Sequence, residues 1–175
     1  MSWLLLVYKL PADRSSARVS VWREVRRSGA LQLQNSVVAF PDTGDFRTAV
    51  ARVRAAVDSV EGSVLAVRAE TLEPDEDARL AAAWNEARTD EFSELASECD
   101  KLVAEIDKEF AKEKFTLAEL DEEEAELEKL RSWHARIHAR DVLGSDGAGD
   151  AEVALGRAAE AVARFTAAVF DRTHG

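Results

Sequence analysis

The order of apolar runs and helical stripes in the first part of the sequence constrains the fold most. Apolar side chains follow one another almost without interruption in residues 3–8, as in a buried strand, and Pro11 prevents this strand from extending. Residues 15–27 then carry apolar side chains at helical spacing. Two short apolar runs, residues 30–34 and 37–40, predict a tight pair of strands.

A second helix and a fourth strand follow the strand pair. Phenylalanine and valine side chains recur at helical spacing in residues 46–60, and residues 63–67 form another short apolar run. The resulting order, βαββαβ, predicts a ferredoxin-like fold, in which two helices cover one face of a four-stranded antiparallel sheet.

No strand pattern follows Glu70, and the rest of the sequence has only helical periodicity. The acidic segment 73–77, which contains a proline, is typical of a connector that enters a helix. We therefore expect an α+β chain with two domains. These are a ferredoxin-like domain at residues 1–72 and an acidic helical domain at residues 73–175.

The predicted helical domain contains three or four helices packed as a hairpin or bundle. One long helix is indicated by apolar side chains that alternate spacings of three and four residues, namely Phe92, Leu95, Cys99, Leu102, Ile106 and Phe110. Thr116 and Glu119 fit a capping box, which predicts that another helix begins there. A stripe that includes Leu155, Phe165 and Val169 predicts a last helix.

The composition is that of a folded protein outside an oxidising compartment. Hydrophobic residues make up 46% of the 175 residues and charged residues 33%, which supplies enough apolar surface to offset the entropy of folding. Cys99 is the sole cysteine, so no internal disulfide can form. The apolar opening run is too short for a signal peptide or a membrane span, which favours a cytoplasmic protein without membrane contact.

The net charge of -11 conceals opposite balances in the two parts of the sequence. Residues 1–60 hold 9 Lys and Arg against 5 Asp and Glu, whereas residues 61–175 hold 14 against 29. A phosphate or another oxyanion is therefore expected to meet the first part of the chain, because the acidic remainder repels it.

Arginines on and around the two helices of the first domain are the candidate binding residues. Their forked donors match a nucleic-acid phosphate or a dianion such as chromate. The same pattern also fits a solvated face, or a dock for the acidic helices of this chain or of a partner. Trp22, the aromatic side chain among them, is expected in the core. The candidates are Arg14, Arg18, Arg23, Arg26, Arg27, Arg47, Arg52 and Arg54.

Several short motifs resemble those of a known family. They are Trp3-Leu4-Leu5-Leu6 with Leu10-Pro11, Ala17-Arg18-Val19-Ser20-Val21-Trp22-Arg23, Gly29-Ala30 and Leu143-Gly144. In order and spacing they resemble the N-terminal region of the ChrB family of chromate-resistance proteins, whose members typically continue into a second, C-terminal domain. The resemblance implies a bacterial cytoplasmic protein connected with transcriptional regulation or oxyanion resistance.

A second resemblance concerns the first domain alone. The segments Val7-Tyr8-Lys9-Leu10-Pro11 and Leu33-Gln34-Asn35-Ser36-Val37-Val38 are similar to segments of PaaX-type transcriptional repressors. The corresponding domain of those repressors has the ferredoxin-like fold also seen in small CRISPR-associated nucleases. Those nucleases place a metal-binding Asp in a strand where this sequence has Lys9. Because a cation cannot ligate Mg²⁺, nuclease activity is not expected.

His134 and His138 are alternative candidates for a metal site. Their i, i+4 spacing places both imidazoles on one side of a helix, where Asp141 or a residue of another helix would complete the ligand set. No Glu adjoins either histidine as a zinc protease requires, and His134 falls on the apolar stripe of its helix. Histidines that pack or face solvent are the simpler interpretation.

Two further features have mainly structural interpretations. The run Asp121-Glu122-Glu123-Glu124 lies in the first turns of a predicted helix, where carboxylates suit the helix dipole and a solvated face is expected. A divalent cation site or mimicry of a nucleic-acid backbone is the alternative there. Cys99, on the apolar seam, is expected to be a buried and unreactive thiol.

The motifs favour a regulatory or binding protein without a cofactor over an enzyme. The sequence contains no phosphate-binding glycine loop, Ser/His/Asp motif or CxxC. In the first hypothesis, the arginines contact nucleic acid or an oxyanion and the acidic helices mediate assembly. In the second, the first domains pair through sheet or helix faces into a homodimer without nucleic-acid affinity. A metal-dependent enzyme that uses His134 and His138 is the third.

Overall fold

The first part of the chain forms an antiparallel sheet of four strands. The structure, a computed structural model, describes residues 1–11, 15–43 and 45–174. The strands are β1 (Ser2–Lys9), β2 (Leu31–Gln34), β3 (Val37–Pro41) and β4 (Ser63–Glu70). They lie in the order β2-β3-β1-β4, and every neighbouring pair is antiparallel. The predicted α+β class is confirmed.

Five helices accompany the sheet in the described residues. Along the chain, α1 (Ser15–Ser28) lies between β1 and β2, and α2 (Phe46–Asp58) lies between β3 and β4. After β4 come α3 (Pro74–Ala111), α4 (Leu117–Arg140) and α5 (Ala148–His174). None of the described helices combines the length and the apolar character that crossing a membrane requires.

The chain divides into two compact units, Met1–Trp84 and Asn85–Gly175. The first unit holds the sheet, α1, α2 and the first turns of α3, and the second holds the rest of α3 with α4 and α5. The domain ranges 1–72 and 73–175 stay predictions. The first unit continues past residue 72 because the beginning of α3 contributes side chains to it.

The beginning of α3 packs within the first unit. Trp84 lies edge-on against Phe46 of α2, with 5.2 Å between the ring centroids, and both side chains are buried. The indole Nε1 of Trp3 donates a 2.9 Å hydrogen bond to Asp77, which also accepts one from the N-terminal amine at 3.1 Å. These two bonds lower the pKa of Asp77, and they tie β1 to α3.

One face of α2 supplies part of the core of the first unit. Its buried side chains recur every three or four residues and are Phe46, Ala49, Val53 and Val57. The turn after α2 requires a glycine, because a Cβ at Gly62 would lie 2.7 Å from a Val57 methyl and 2.8 Å from the Lys9 carbonyl oxygen. This close approach lets the chain pass directly into β4.

An apolar seam runs through the second unit. The side chains predicted on the long helix are buried, except that Phe110 is half-buried. Phe110 packs edge-on against Phe115, at 5.3 Å between ring centroids, and against Phe165, at 5.7 Å. The cluster continues on α4 and α5 with Leu120, Leu127, Leu130, Ile137, Ala158, Val162 and Val169. The predicted seam is therefore confirmed.

A half-buried ion-pair network joins α3 to α4 in the second unit. Arg88 is 2% exposed and donates a 2.8 Å hydrogen bond to Glu91, whose other carboxylate oxygen accepts a bond from Arg140. Burial lowers the pKa of the Arg88 guanidinium, and the negative charge of Glu91 opposes that change. One carboxylate thus holds two guanidiniums from different helices.

Candidate functional site

The arginines predicted on α1 surround a helix whose inward face is aliphatic. Val21 and Val25 are buried, and the side chains of Arg18, Arg23, Arg26 and Arg27 are exposed. Consecutive spacings of five, three and one residues spread these arginines over more than one side of the helix, since each residue turns it by about 100°. Arg14 lies outside the described residues.

Trp22 is exposed, so the prediction that it lies in the core is wrong. The side chain is 48% exposed, because Val21 and Val25 already occupy the inward positions and each residue turns the helix by about 100°. The guanidinium of Arg26, four residues later, lies 5.1 Å from the centroid of the indole ring. This cation–π contact places an aromatic ring among the arginines. Arg18 and Arg26 lie four residues before and after Trp22, on the same side of the helix. This spacing could have predicted that Trp22 lies among the arginines.

Glu24 forms ion pairs with arginines from both helices of the first unit, α1 and α2. Its carboxylate lies 3.8 Å from Arg27 of α1 and 3.3 Å from Arg52 of α2. Both arginine side chains stay largely exposed, at 76% and 55%. Arg23 borders the same place, where it lines a shallow depression of about 500 Å³ with Glu24 and Arg27. The structure therefore brings three of the predicted arginines together.

The other arginines of α2 lie apart from Glu24. Arg47 lies 3.9 Å from Asp42, and Arg68 of β4 binds the same carboxylate at 2.5 Å. Arg68 was not among the predicted arginines because it belongs to the part of the chain with the negative charge balance. Arg54 is exposed and makes no ion pair within residues 1–11, 15–43 and 45–174.

A groove of about 640 Å³ opens beside Trp22. It lies between the end of β1, α1 and the β2–β3 turn, and its lining residues are Tyr8, Lys9, Leu10, Pro11, Arg18, Trp22, Gln32, Asn35 and Ser36. The Tyr8 hydroxyl donates a 3.4 Å hydrogen bond to the backbone oxygen of Asn35. Burial raises the pKa of Tyr8, so the phenol stays neutral at physiological pH.

Comparison with known proteins gives a match over most of the chain. The family model described as Protein ChrB, N-terminal, matches residues 18–175. The chain belongs to this family. A curated relative, Protein ChrB of Cupriavidus metallidurans, is 26% identical over 135 residues. The aligned residues make up 77% of this chain and 37% of the relative, so the chain spans little more than a third of that protein.

The ChrB match confirms the predicted family, although the motifs at residues 3–6 and 10–11 precede the matched range. Its range includes every predicted binding arginine that the structure describes, from Arg18 to Arg54. Trp22 and the β2–β3 turn also lie inside the match, whereas Tyr8 and Lys9 at the end of β1 precede it.

The two histidines considered as metal ligands lie close together on α4 of the ChrB-family chain. Their ring centroids are 6.1 Å apart, and the half-buried His134 lies 6.1 Å from the ring of Phe92. Asp141, named with His134 and His138, instead accepts a 2.7 Å hydrogen bond from the backbone N–H of Ser145. Among the residues that the structure describes, no group of three or more His, Cys, Asp or Glu side chains is placed to hold a metal ion.

The remaining predicted features lie in the second unit. Cys99 is fully buried on the seam, as expected, and burial is the main cause that raises the pKa of its thiol. In the acidic run of α4, Asp121, Glu122 and Glu124 are exposed as predicted. Glu123 is buried, which is contrary to the prediction of a solvated face along the whole run.

Proposed function

We propose that this ChrB-family chain is a regulatory protein linked to chromate resistance and that its first unit binds nucleic acid. The observation that carries the proposal is the meeting of exposed guanidiniums from α1 and α2 around Glu24. We call this set the arginine surface; its members are Arg23, Arg27 and Arg52.

The charge of the arginine surface supports binding to phosphates. Glu24 is the carboxylate that Arg27 and Arg52 share, so its one negative charge leaves the surface with a positive excess. The excess agrees with the balance of 9 basic against 5 acidic residues in residues 1–60. Forked guanidiniums bind phosphate oxygens in pairs, and each phosphate contact releases counterions from DNA.

We also propose that the first unit has the ferredoxin-like fold. The order of its elements along the chain is β1-α1-β2-β3-α2-β4, and its strands are arranged as β2-β3-β1-β4. This arrangement puts β1 between β3 and β4, which are joined through α2. A connection that skips over a central strand is what a split βαβ unit requires.

Salt-dependent binding to DNA tests the proposed function. We would measure the anisotropy of a labelled short DNA duplex over a series of salt concentrations, first with the unaltered chain. The plot of log K against log salt should be steep and linear. The double variant Arg23→Ala with Arg27→Ala should bind more weakly, and its slope should be smaller by about 2, because each lost phosphate contact lowers the slope by about 1.

The control for this test removes the same charge from the second unit. Arg131→Ala with Arg136→Ala changes two exposed arginines of α4 and should leave the salt slope unchanged. If both double variants lost DNA affinity equally, the binding would depend on net charge alone and not on the arginine surface. Unchanged binding by the Arg23 and Arg27 variant would overturn the assignment of the arginine surface.

A second candidate function is homodimer formation through the sheet. Val7 of β1 pairs with Leu65 of β4, and these side chains are 43% and 61% exposed. Val67 lies two residues further along β4 and is also exposed. Side chains two apart on a strand share a face, so these three form an apolar patch on one face of the sheet.

Light scattering tests the dimer. The unaltered chain should have the mass of a dimer, and Leu65→Lys should give a monomer because it places a charge in the buried patch. Leu117→Lys, at a leucine of similar exposure in the second unit, should leave the mass unchanged. A monomeric unaltered chain at all concentrations would exclude this function.

A further inference from the structure

We propose that the groove beside Trp22 binds a nucleotide, with an unpaired nucleobase stacked on the indole and its phosphate held by Lys9 and Arg18. This inference deepens the proposed function and rests on it, since the groove adjoins the arginine surface. The ligand chemistry is a nucleobase with an attached phosphate. It is supplied either by an unpaired position in a nucleic-acid strand or by a free nucleotide.

The aromatic part of the groove is Trp22. Two other tryptophans, Trp3 and Trp84, are buried, whereas 48% of Trp22 faces solvent at the border of the groove. Tryptophan is highly buried on average, so the exposure of Trp22 leaves an unusually large part of an indole open to a ligand. The contact with Arg26 makes the ring part of a cationic and aromatic surface of the kind on which bases stack.

The charges of the groove favour an anion. Lys9 and Arg18 line it from the end of β1 and from α1, and among the residues that the structure describes no acidic side chain lines it. The two cations reach the groove from different elements. In the proposed binding mode the phosphate lies between them while the base contacts Trp22. This pairing of a cationic site with a stacking ring is typical of proteins that bind single strands.

Polar groups on the β2–β3 side of the groove can contact the edge of a base. Gln32, Asn35 and Ser36 line that side, and side-chain amides carry both donors and acceptors. Asn and Gln therefore match the hydrogen-bonding edge of a nucleobase. The volume of about 640 Å³ lies within the range of small-molecule sites, about 300–1,000 Å³. A base still paired in a duplex cannot enter, because its edge and both faces are occupied.

Quenching of tryptophan fluorescence tests the groove. The full chain would be titrated at low salt with adenosine monophosphate, with a short single-stranded oligonucleotide and with a duplex of the same sequence. Stacking should quench the emission of the unaltered chain, and Trp22→Leu should abolish this quenching. The same variant should weaken single-strand binding, measured by anisotropy, about fivefold or more, since stacking contributes this much or more per base.

A control variant and a variant of the phosphate contact accompany this test. Trp133→Phe removes a half-buried indole of the second unit and should keep the quenching. Lys9→Gln should lower the salt slope of single-strand binding by about 0.7, the value for one phosphate contact on a single strand. Because Trp22 and Lys9 are both exposed, circular dichroism should show that these variants keep the fold.

The outcomes separate the groove from the arginine surface. Quenching by the oligonucleotide alone supports a strand as the source of the nucleotide, and quenching by adenosine monophosphate as well supports a free nucleotide. If quenching survives in Trp22→Leu, or if neither the oligonucleotide nor adenosine monophosphate quenches the unaltered chain, the proposed nucleotide site is overturned. If the duplex still binds through Arg23 and Arg27 in that case, the proposed function stands without the groove. Absence of binding to strand and duplex at low salt overturns both.

Discussion

Glu123 is a carboxylate in an unfavourable place. It is 7% exposed on α4, although its neighbours in the acidic run face solvent. Burial is the main cause that raises the pKa of Glu123, and the negative charges of Glu105, Glu119 and Glu109 add to it. The folded chain therefore binds a proton more readily than the unfolded chain does. Stability consequently falls as the pH rises through the raised pKa, and charged Glu123 opposes folding at neutral pH.

Removing the charge of Glu123 should therefore stabilise the chain at neutral pH. We expect Glu123→Gln to raise Tm at pH 7 by about 2 °C or more, on the scale of about 2–4 °C per kcal/mol for a chain of this size. The gain should shrink as the pH falls through the raised pKa of folded Glu123 and should vanish below the ordinary glutamate pKa of 4.5, where both states are protonated. Thermal unfolding followed by circular dichroism at several pH values would measure this.

The adjacent residue provides a matched control for Glu123. Glu124→Gln removes the same charge from an exposed position one residue later. It should change Tm much less than Glu123→Gln does. Equal changes in the two variants would attribute the effect to net charge instead of burial.

At the scale of the element, α4 begins at a cap that was visible in the sequence. Thr116 has extended backbone angles, φ -119° and ψ 153°, and its hydroxyl accepts a hydrogen bond from the backbone N–H of Glu119. The carboxylate of Glu119 binds Lys114 just before the helix. The hydroxyl therefore satisfies one of the backbone N–H groups that the first turn of a helix leaves without an intrahelical partner.

Loss of the Thr116 hydroxyl should destabilise the chain. We expect Thr116→Ala to lower the free energy of unfolding by about 1 kcal/mol, which corresponds to about 2–4 °C in Tm. Thr116→Ser keeps the accepting oxygen and should cost much less. Urea unfolding of the two variants would measure the difference. If both variants lost the same free energy of unfolding, the hydroxyl cap would not be the cause of the destabilisation.

At the scale of the whole molecule, the net charge of -11 acts against the proposed binding of nucleic acid. The repulsion of an anion depends on the summed charge of the chain, whereas contact depends on the local surface of the first unit. The acidic residues of the second unit should therefore slow association with DNA without altering the contacts formed. Salt should weaken this effect, since the screening length is about 8 Å at 0.15 M.

Charge reversal on α5 should speed association with DNA. Glu152→Lys with Glu160→Lys changes two exposed residues, and each reversal shifts the net charge by about +2. We expect the association rate in stopped-flow measurements to rise several-fold at low salt and to approach that of the unaltered chain at about 0.15 M. Glu152→Gln with Glu160→Gln should give a smaller rise. An unchanged rate at low salt would contradict the role assigned to net charge.

Much of the fold could be predicted because it depends on local patterns. The period of apolar side chains distinguishes strands from helices, and the seam that contains Cys99 and the cap at Thr116 follow from spacing alone. The site was less predictable. Periodicity indicates which side of a helix faces inward, but Val21 and Trp22 are adjacent on α1, and only one of them could take the inward position.

The sequence by itself therefore determined the class of the fold, the order of its elements, the family and the placement of basic residues in the first part of the chain. Tertiary structure alone decided which of those residues meet. Arg52 reaches Glu24 from another helix, Arg68 shares Asp42 with Arg47, and Lys9 and Trp22 line the same groove. Such contacts join residues far apart in the chain, and they depend on how the elements pack, which no local spacing encodes.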